Sequence, residues 1–291
     1  MNNNGNNETD NQLKDLKENL LKAESFRAFA QKYRNSSRIS ATMTEAMPML
    51  AITLDELDAD PFLLNTPEGT YDLRYGIEQK HEHDPNDFIT KQTAVSPSDE
   101  GMDIWLDFLR TVFQNDLELI KFVQQVAGLG AIGQVAVESL FICVGSGKNG
   151  KSTLWNAIKY VMGTYAGTLS CDVLTADTKR NIKPELADLR GRRLTVASEL
   201  SEDAVLNTSL LKQIASTDSI KAEKKYGHPF EFEPVHTVIL HTNFLPKVFS
   251  DTYNNGTWRR LTVIPFNAVI ENSKDKKITV STWLKMLVQQ F

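Results

Sequence analysis

Hydrophobic positions fall into three textures along the chain. From Leu13, apolar side chains recur at three- and four-residue intervals through Leu16, Leu20, Ala23, Phe26, Ala30 and Tyr33, which predicts an amphipathic helix. Residues 1–12 before it are Asn-rich, polar and aperiodic, and predict a disordered tail. Between Pro61 and Asp99, Pro, Gly, Asn and Asp break the chain into turns and short strands. The helical period returns after Asp103, with Trp105, Phe108, Leu109, Val112 and Phe113, then Ile120, Phe122, Val123 and Val126. Residues 13–127 therefore predict a mostly helical accessory domain, and no internal repeat is visible.

Beyond Glu138 the pattern becomes strand, glycine turn, helix, strand. Leu140–Val144, Leu194–Ala197, Val235–Leu240 and Leu261–Ile264 are short and rich in β-branched or bulky apolar residues. Strands separated by helical stretches predict an α/β fold over residues 128–270, a parallel sheet with helical crossovers.

Composition narrows the class. A length of 291 residues with 41% hydrophobic content suffices for one sizeable core plus an accessory domain. No apolar run approaches the ~18 residues of a membrane span, and the Asn-rich start lacks the basic flank and apolar stretch of a secretion signal. A cytoplasmic protein with no membrane partner is expected. Cys143 and Cys171 cannot build a disulfide framework and have no metal-ligand spacing; Cys143 reads as a small apolar residue in a buried strand. A net charge of −5 and a pI near 5.6 exclude a bulk basic field. Any nucleic-acid contact must then be local, such as a short loop reaching into a channel.

One segment carries explicit chemistry. Gly145, Ser146, Gly147, Lys148, Asn149, Gly150, Lys151 and Ser152, followed by Thr153, satisfy the phosphate-loop spacing G-x-x-x-x-G-K-[ST]. Glycines let the backbone curl its N–H groups toward phosphate oxygens, and the helix that follows adds its positive end. Lys151 is expected to reach the β- and γ-phosphates, and the Ser152 hydroxyl to ligate Mg²⁺. The loop follows an apolar strand and opens a helix whose Leu154, Trp155, Ile158, Val161 and Met162 form one stripe, the context the motif requires.

Hydrolysis needs a further acidic group at a neighbouring strand end. "RRLTVASEL" supplies Glu199 as the candidate for orienting water and contributing to the metal site, with Ser198 where many such enzymes carry a first carboxylate. "HTVILHTNFLP" ends a third strand at Asn243, a neutral amide able to bond both γ-phosphate and water. "GTWRRLTVIPF" places Arg259 and Arg260 just before a strand, where a guanidinium can neutralise charge on a transferred phosphoryl group, often from a neighbouring subunit.

In this order, "DADPFLLNTPEGTYDLRYG", "GSGKNGKSTLWNAI", "NIKPELADLRGRRLTVASEL", "LLKQIASTDSIKAEKKYGHPFEFEP", "HTNFLPKV" and "GTWRRLTVIPF" resemble superfamily 3 helicases. The resemblance is greatest to the helicase part of phage and plasmid primase-helicases, kin to the poxvirus type, and covers roughly residues 50–270. It implies an AAA+-like P-loop NTPase core in a ring, usually hexameric. ATP then lies between subunits and single-stranded DNA in the central channel. It also implies a hairpin with a basic, DNA-tracking tip in "IKAEKKYGHPFEF", at Lys224, Lys225 and His228. Arg260 is the first choice for the finger that acts in trans, with Arg259 second. The "HEHD" of His81–Asp84 falls in an accessory-domain loop in this family rather than a metal site.

Two departures from the family pattern stand out. The primase domain common upstream in these proteins is missing, so primer synthesis is expected from a primase on another chain. The end, "STWLKMLVQQF", differs from a family continuation close to "YLVENAGPAV". One reverse translation of Leu284 to Phe291 encodes Glu-Asn-Ala-Gly-Pro-Ala-Val one frame over, so residues from about Val280 are expected to be an out-of-frame, truncated tail. The expected activity is ATP-driven helicase or translocase work in phage, plasmid or prophage replication. The alternatives are an inactive remnant that binds nucleotide or partners without unwinding, and a small-molecule kinase, whose ATPase would be indifferent to DNA.

Overall fold

A computed structural model describes residues 4–176, 183–249 and 255–270. The chain divides into two compact units, Met1–Leu54 and Asp55–Phe291. The first holds helices α1 (Asn4–Tyr33) and α2 (Ser36–Ala46), joined where the Asn35 side chain accepts a hydrogen bond from the Ser37 N–H at 3.0 Å. Helix α1 starts inside the segment expected to be a disordered tail. No proline interrupts it, and each residue added to an existing helix gains a backbone hydrogen bond, so the helical stretch runs back past Leu13.

The second unit begins with a small antiparallel sheet of β1 (Leu63–Thr66), β2 (Gly69–Asp72) and β3 (Lys80–His81). Helices α3 (Met102–Val112) and α4 (Leu117–Leu129) follow, the latter capped by the Asp116 carboxylate on the Leu119 N–H. Then come β4 (Leu140–Val144), α5 (Lys151–Val161), β5 (Ala166–Leu169), α6 (Lys183–Ala187), β6 (Leu194–Ser198) and α7 (Thr208–Ile214). The hairpin β7 (Ile220–Glu223) and β8 (Pro229–Phe232) precedes β9 (Thr237–Thr242), α8 (Asn255–Trp258) and β10 (Leu261–Pro265).

Five of these strands form one parallel sheet in the order β10-β4-β9-β6-β5. Its strands are apolar at nearly every position because both faces are covered. Along β4, Phe141 and Cys143 join a core with Trp105, Leu109, Val123, Val126, Leu154 and Ile158, while Leu140 and Ile142 join another with Leu186, Leu210, Leu211 and Phe232.

That packing corrects two expectations. Helices α3 and α4 share one hydrophobic core with the sheet and α5, so no domain border lies at residue 127; the border between units falls after Leu54, and residues 63–81 are largely strand. The sheet needs a helical layer on that face, and α3 and α4 provide it. Arg193 at the foot of β6 ties the regions further, donating to the carbonyls of Ala131 at 2.8 Å and Leu63 at 2.9 Å while lying over the Tyr165 ring.

Two strand assignments also differ. The strand expected at Val235–Leu240 runs from Thr237 to Thr242, since Pro234 has no N–H for a ladder and the chain straightens only past it. The short edge strand β5, with its glycine, has no alternation to announce it. The expected out-of-frame tail lies outside the described residues.

Candidate nucleotide-binding site

In a parallel sheet every strand delivers its carboxyl end to the same edge, where ligands gather in α/β proteins. Strand β4 ends there at Val144, and the chain curls through residues 145–150 into α5. The curl uses left-handed backbone at Gly147 (φ 98°), Lys148 (φ 48°) and Gly150 (φ 84°). A Cβ at Gly145 would collide with the Phe266 carbonyl and the Asn149 amide, and one at Gly150 would lie 2.6 Å from Val112 Cγ2. The loop is held from β10 and the segment after it: Phe266 N–H donates to Val144 O at 2.7 Å, Asn149 Nδ2 to Phe266 O at 3.1 Å, and Ile270 N–H to Lys148 O at 2.7 Å.

Lys151 is only 4% exposed. Its ammonium donates to Gly145 O at 2.5 Å, Asn149 Oδ1 at 3.0 Å and Asn243 Oδ1 at 3.3 Å, so the loop lysine and the amide ending β9 meet. Burial pulls the Lys151 pKa below its ordinary value.

Glu199 reaches the same place from β6. The thiol of Cys171 donates to Ser198 O at 2.7 Å, and the Glu199 N–H donates to His241 O at 3.0 Å, with Glu199 itself in the left-handed region at φ 66°. These bonds turn the chain sharply at the strand end. Residues 147–153, Glu199, His241, Thr242 and Asn243 line a pocket of about 300 Å³. Gly145 meets Lys151 through its carbonyl, and Ser146 is exposed outside that lining. Cys143, behind the loop, accepts the buried Trp155 indole N–H at 3.0 Å, and burial pushes its thiol up to about 12, in keeping with a packing role.

His241 escaped the sequence reading. It is 5% exposed, lines the pocket, and its ring has no hydrogen-bond partner among the described residues. Burial and then the nearby Lys151 charge pull its pKa below the ordinary histidine value, against the opposing effect of Glu199, which keeps the ring neutral at pH 7. The available signal was a histidine in a strand buried at all six positions.

The two arginines sit elsewhere. They precede β10, whose Leu261 pairs with Leu140 at the start of β4, so they lie at the opposite edge from the phosphate loop. A five-residue strand at ~3.3 Å per residue separates the edges by roughly 16 Å. Arg260, the first choice for a finger, is 8% exposed and committed within its own chain: Nε to Ala215 O at 3.3 Å, Nη1 to Gly256 O at 2.9 Å and Nη2 to Glu138 Oε2 at 2.7 Å. It cannot reach outward while it holds those partners. Arg259 keeps a side chain 64% exposed, with one looser contact to Glu138 at 3.4 Å.

Comparison with known proteins places these features in a family. Residues 6–114 match the family described as D5 N terminal like, and residues 143–260 match DUF5906, a family of unknown function. A provisionally named helicase of Acanthamoeba polyphaga mimivirus is 31% identical over 73% of this chain and 22% of its own length. One of Invertebrate iridescent virus 6 is 26% identical over 84% of this chain and 26% of its own. The chain belongs to the D5-type primase-helicase family. It spans about a quarter of the length of these curated relatives. Among solved structures, the apo C-terminal region of NrS-1 aligns with a TM-score of 0.49 and 15% identity, over 86% of this chain and 57% of that one.

In this D5-type chain the segment between β6 and β9 forms the β7–β8 hairpin, closed by a turn in which Gly227 N–H donates to Lys224 O at 2.8 Å. Its base adjoins the strand-start edge, where a ring nitrogen of His236 lies 3.1 Å from Ile214 O and Arg260 binds the Ala215 carbonyl. Lys224, Lys225 and His228 are all exposed at the tip. Neither lysine has an acidic partner among the described residues, whereas Lys221 lower down is paired with Glu231 at 3.1 Å. His81 and His83 belong to β3 and the loop after it, His83 held at 2.8 Å from Thr66 O, and no cluster of potential metal ligands occurs among the described residues. No helix among them is long and apolar enough to cross a membrane.

Proposed function

We propose that this chain is the motor part of an ATP-dependent DNA helicase or translocase, hydrolysing ATP between copies of itself arranged in a ring. One observation carries the reading: the phosphate loop and the ends of β6 and β9 bring Lys151, Ser152, Glu199, His241 and Asn243 to one pocket. The relatives' names as helicases and primases support it, and make a primase an expected partner.

In this reading the loop N–H groups and Lys151 hold the β- and γ-phosphates, Lys151 exchanging its three protein acceptors for phosphate oxygens. Ser152 and Glu199, which line the same pocket, would hold Mg²⁺, which when bound neutralises phosphate charge. The Glu199 carboxylate accepts a hydrogen bond from the attacking water. The water oxygen bonds to the γ-phosphorus as the bond to the bridging oxygen of ADP breaks, and the water's proton leaves through the carboxylate. Asn243, bonded to Lys151 before nucleotide arrives, is freed to contact the γ-phosphate. Arg259 lies too far from its own loop and serves the pocket of a neighbouring copy. Lys224, Lys225 and His228 contact DNA phosphates in the channel.

The test is ATP turnover with and without a single-stranded oligonucleotide, alongside light scattering with and without an ATP analogue. DNA should raise turnover several-fold, nucleotide should enlarge the particle, and Lys151→Ala should lower the rate by about 10²–10³-fold. Turnover indifferent to DNA, or full turnover by a particle that stays monomeric, overturns the reading.

A further inference from the structure

The most exposed large side chain in the structure, at 96%, is Tyr226, and it stands at the tip of the β7–β8 hairpin between Lys225 and Gly227. Water exposure of a whole aromatic ring is unfavourable. Its backbone is unfavourable too: φ is 64°, the left-handed region that bulky side chains rarely adopt, although Gly227 stands one position later. Neither packing nor turn geometry calls for tyrosine here. The ring packs on no core, and its one recorded neighbour is the Lys225 ammonium, 5.2 Å from the ring centroid. That cation covers one face and leaves the other to solvent. Around the ring are Lys224, Lys225 and His228, without a carboxylate paired to either lysine among the described residues.

An open aromatic face among unpaired cations is the combination that holds single strands: cations follow the phosphates while each unpaired base offers a π-face to stack. We propose that Tyr226 is a base-stacking residue for single-stranded DNA, so that the hairpin tip grips bases as well as phosphates. The inference rests on the DNA reading above and adds to it a contact that phosphate charge alone does not supply. Stacking tolerates any base, so the grip suits a strand moving through without sequence preference. The left-handed backbone fixes which way the ring projects, and the lysine on one face sets which face a base occupies.

The experiment uses the full chain and two fluorescently labelled 20-mers of equal charge, oligo-dT and an abasic strand of the same length, read by anisotropy. Wild type should bind oligo-dT about tenfold more tightly than the abasic strand, and Tyr226→Ala should lose that preference while keeping the abasic affinity. Tyr226→Phe and Tyr226→Trp should restore it, and circular dichroism checks that each variant folds. Equal binding of both strands by wild type, or an unchanged preference in Tyr226→Ala, overturns the stacking role while leaving phosphate contact in place. Binding to neither strand overturns the DNA reading itself, and the stacking role with it.

Discussion

The two adjacent arginines make a sharp test, because the structure gives them different work. Removing the Arg260 side chain deletes three hydrogen bonds, one of them charge-assisted to Glu138, and leaves the carbonyls of Ala215 and Gly256 without that donor. A hydrogen bond to a charged partner contributes about 1.5–3 kcal/mol and a neutral one about 0.5–1.5 kcal/mol. Glu138 keeps 36% exposure and regains water, so Arg260→Ala should cost about 2–4 kcal/mol. At ~2–4 °C per kcal/mol for a unit of this size, the melting temperature should fall by about 5–15 °C. Arg259, mostly exposed with a 3.4 Å contact, contributes about 0–1 kcal/mol, so Arg259→Ala should melt within a few degrees of wild type. Its ATPase should fall by about 10³-fold or more if it reaches a neighbour's γ-phosphate. Differential scanning fluorimetry beside a steady-state ATPase assay separates the two. An Arg260→Ala protein of wild-type melting temperature with no turnover, beside an active Arg259→Ala protein, would refute both the geometry and the reassignment.

Three further outcomes follow from the same structure. Glu199→Gln should bind a fluorescent ATP analogue within about twofold of wild type yet turn over about 10²–10⁴-fold more slowly, and an equal loss in both would move Glu199 from the water to the phosphate. Replacing Lys224 and Lys225 together by Ala should lower the slope of log affinity against log salt for single-stranded DNA by about 1.4, since each phosphate contact adds about 0.7; an unchanged slope removes both from the interface. Burial holds His236 at about 4 against an ordinary 6.5, so the unfolded chain takes up that proton first. Its stability contribution is complete above pH 6.5 and drains away as pH falls toward 4, on the order of 2 kcal/mol by pH 5. His236→Gln, which keeps an N–H donor without titrating, should flatten denaturant midpoints over that window.

The sequence by itself determined whatever is written in contiguous residues. The phosphate loop was legible because its chemistry is local: glycines at left-handed positions, a lysine and a hydroxyl opening a helix, all within nine residues. The parallel sheet was legible because strands covered on both faces become continuous apolar runs, and Glu199 and Asn243 because they end such runs. Tertiary structure decided the rest, since burial and pairing depend on parts of the chain far away. Asn243 meets Lys151 across 92 residues of sequence, and Glu138 captures Arg260 across 122. No local pattern distinguishes Arg259 from Arg260; only the neighbours that close over one and leave the other in water do so. The same holds for His241, which becomes a pocket residue because β9 lies between β4 and β6, and for α3 and α4, whose apolar stripes fit a separate helical domain until the sheet's uncovered face claims them. Periodicity states that a side chain must be buried, and packing alone states against what.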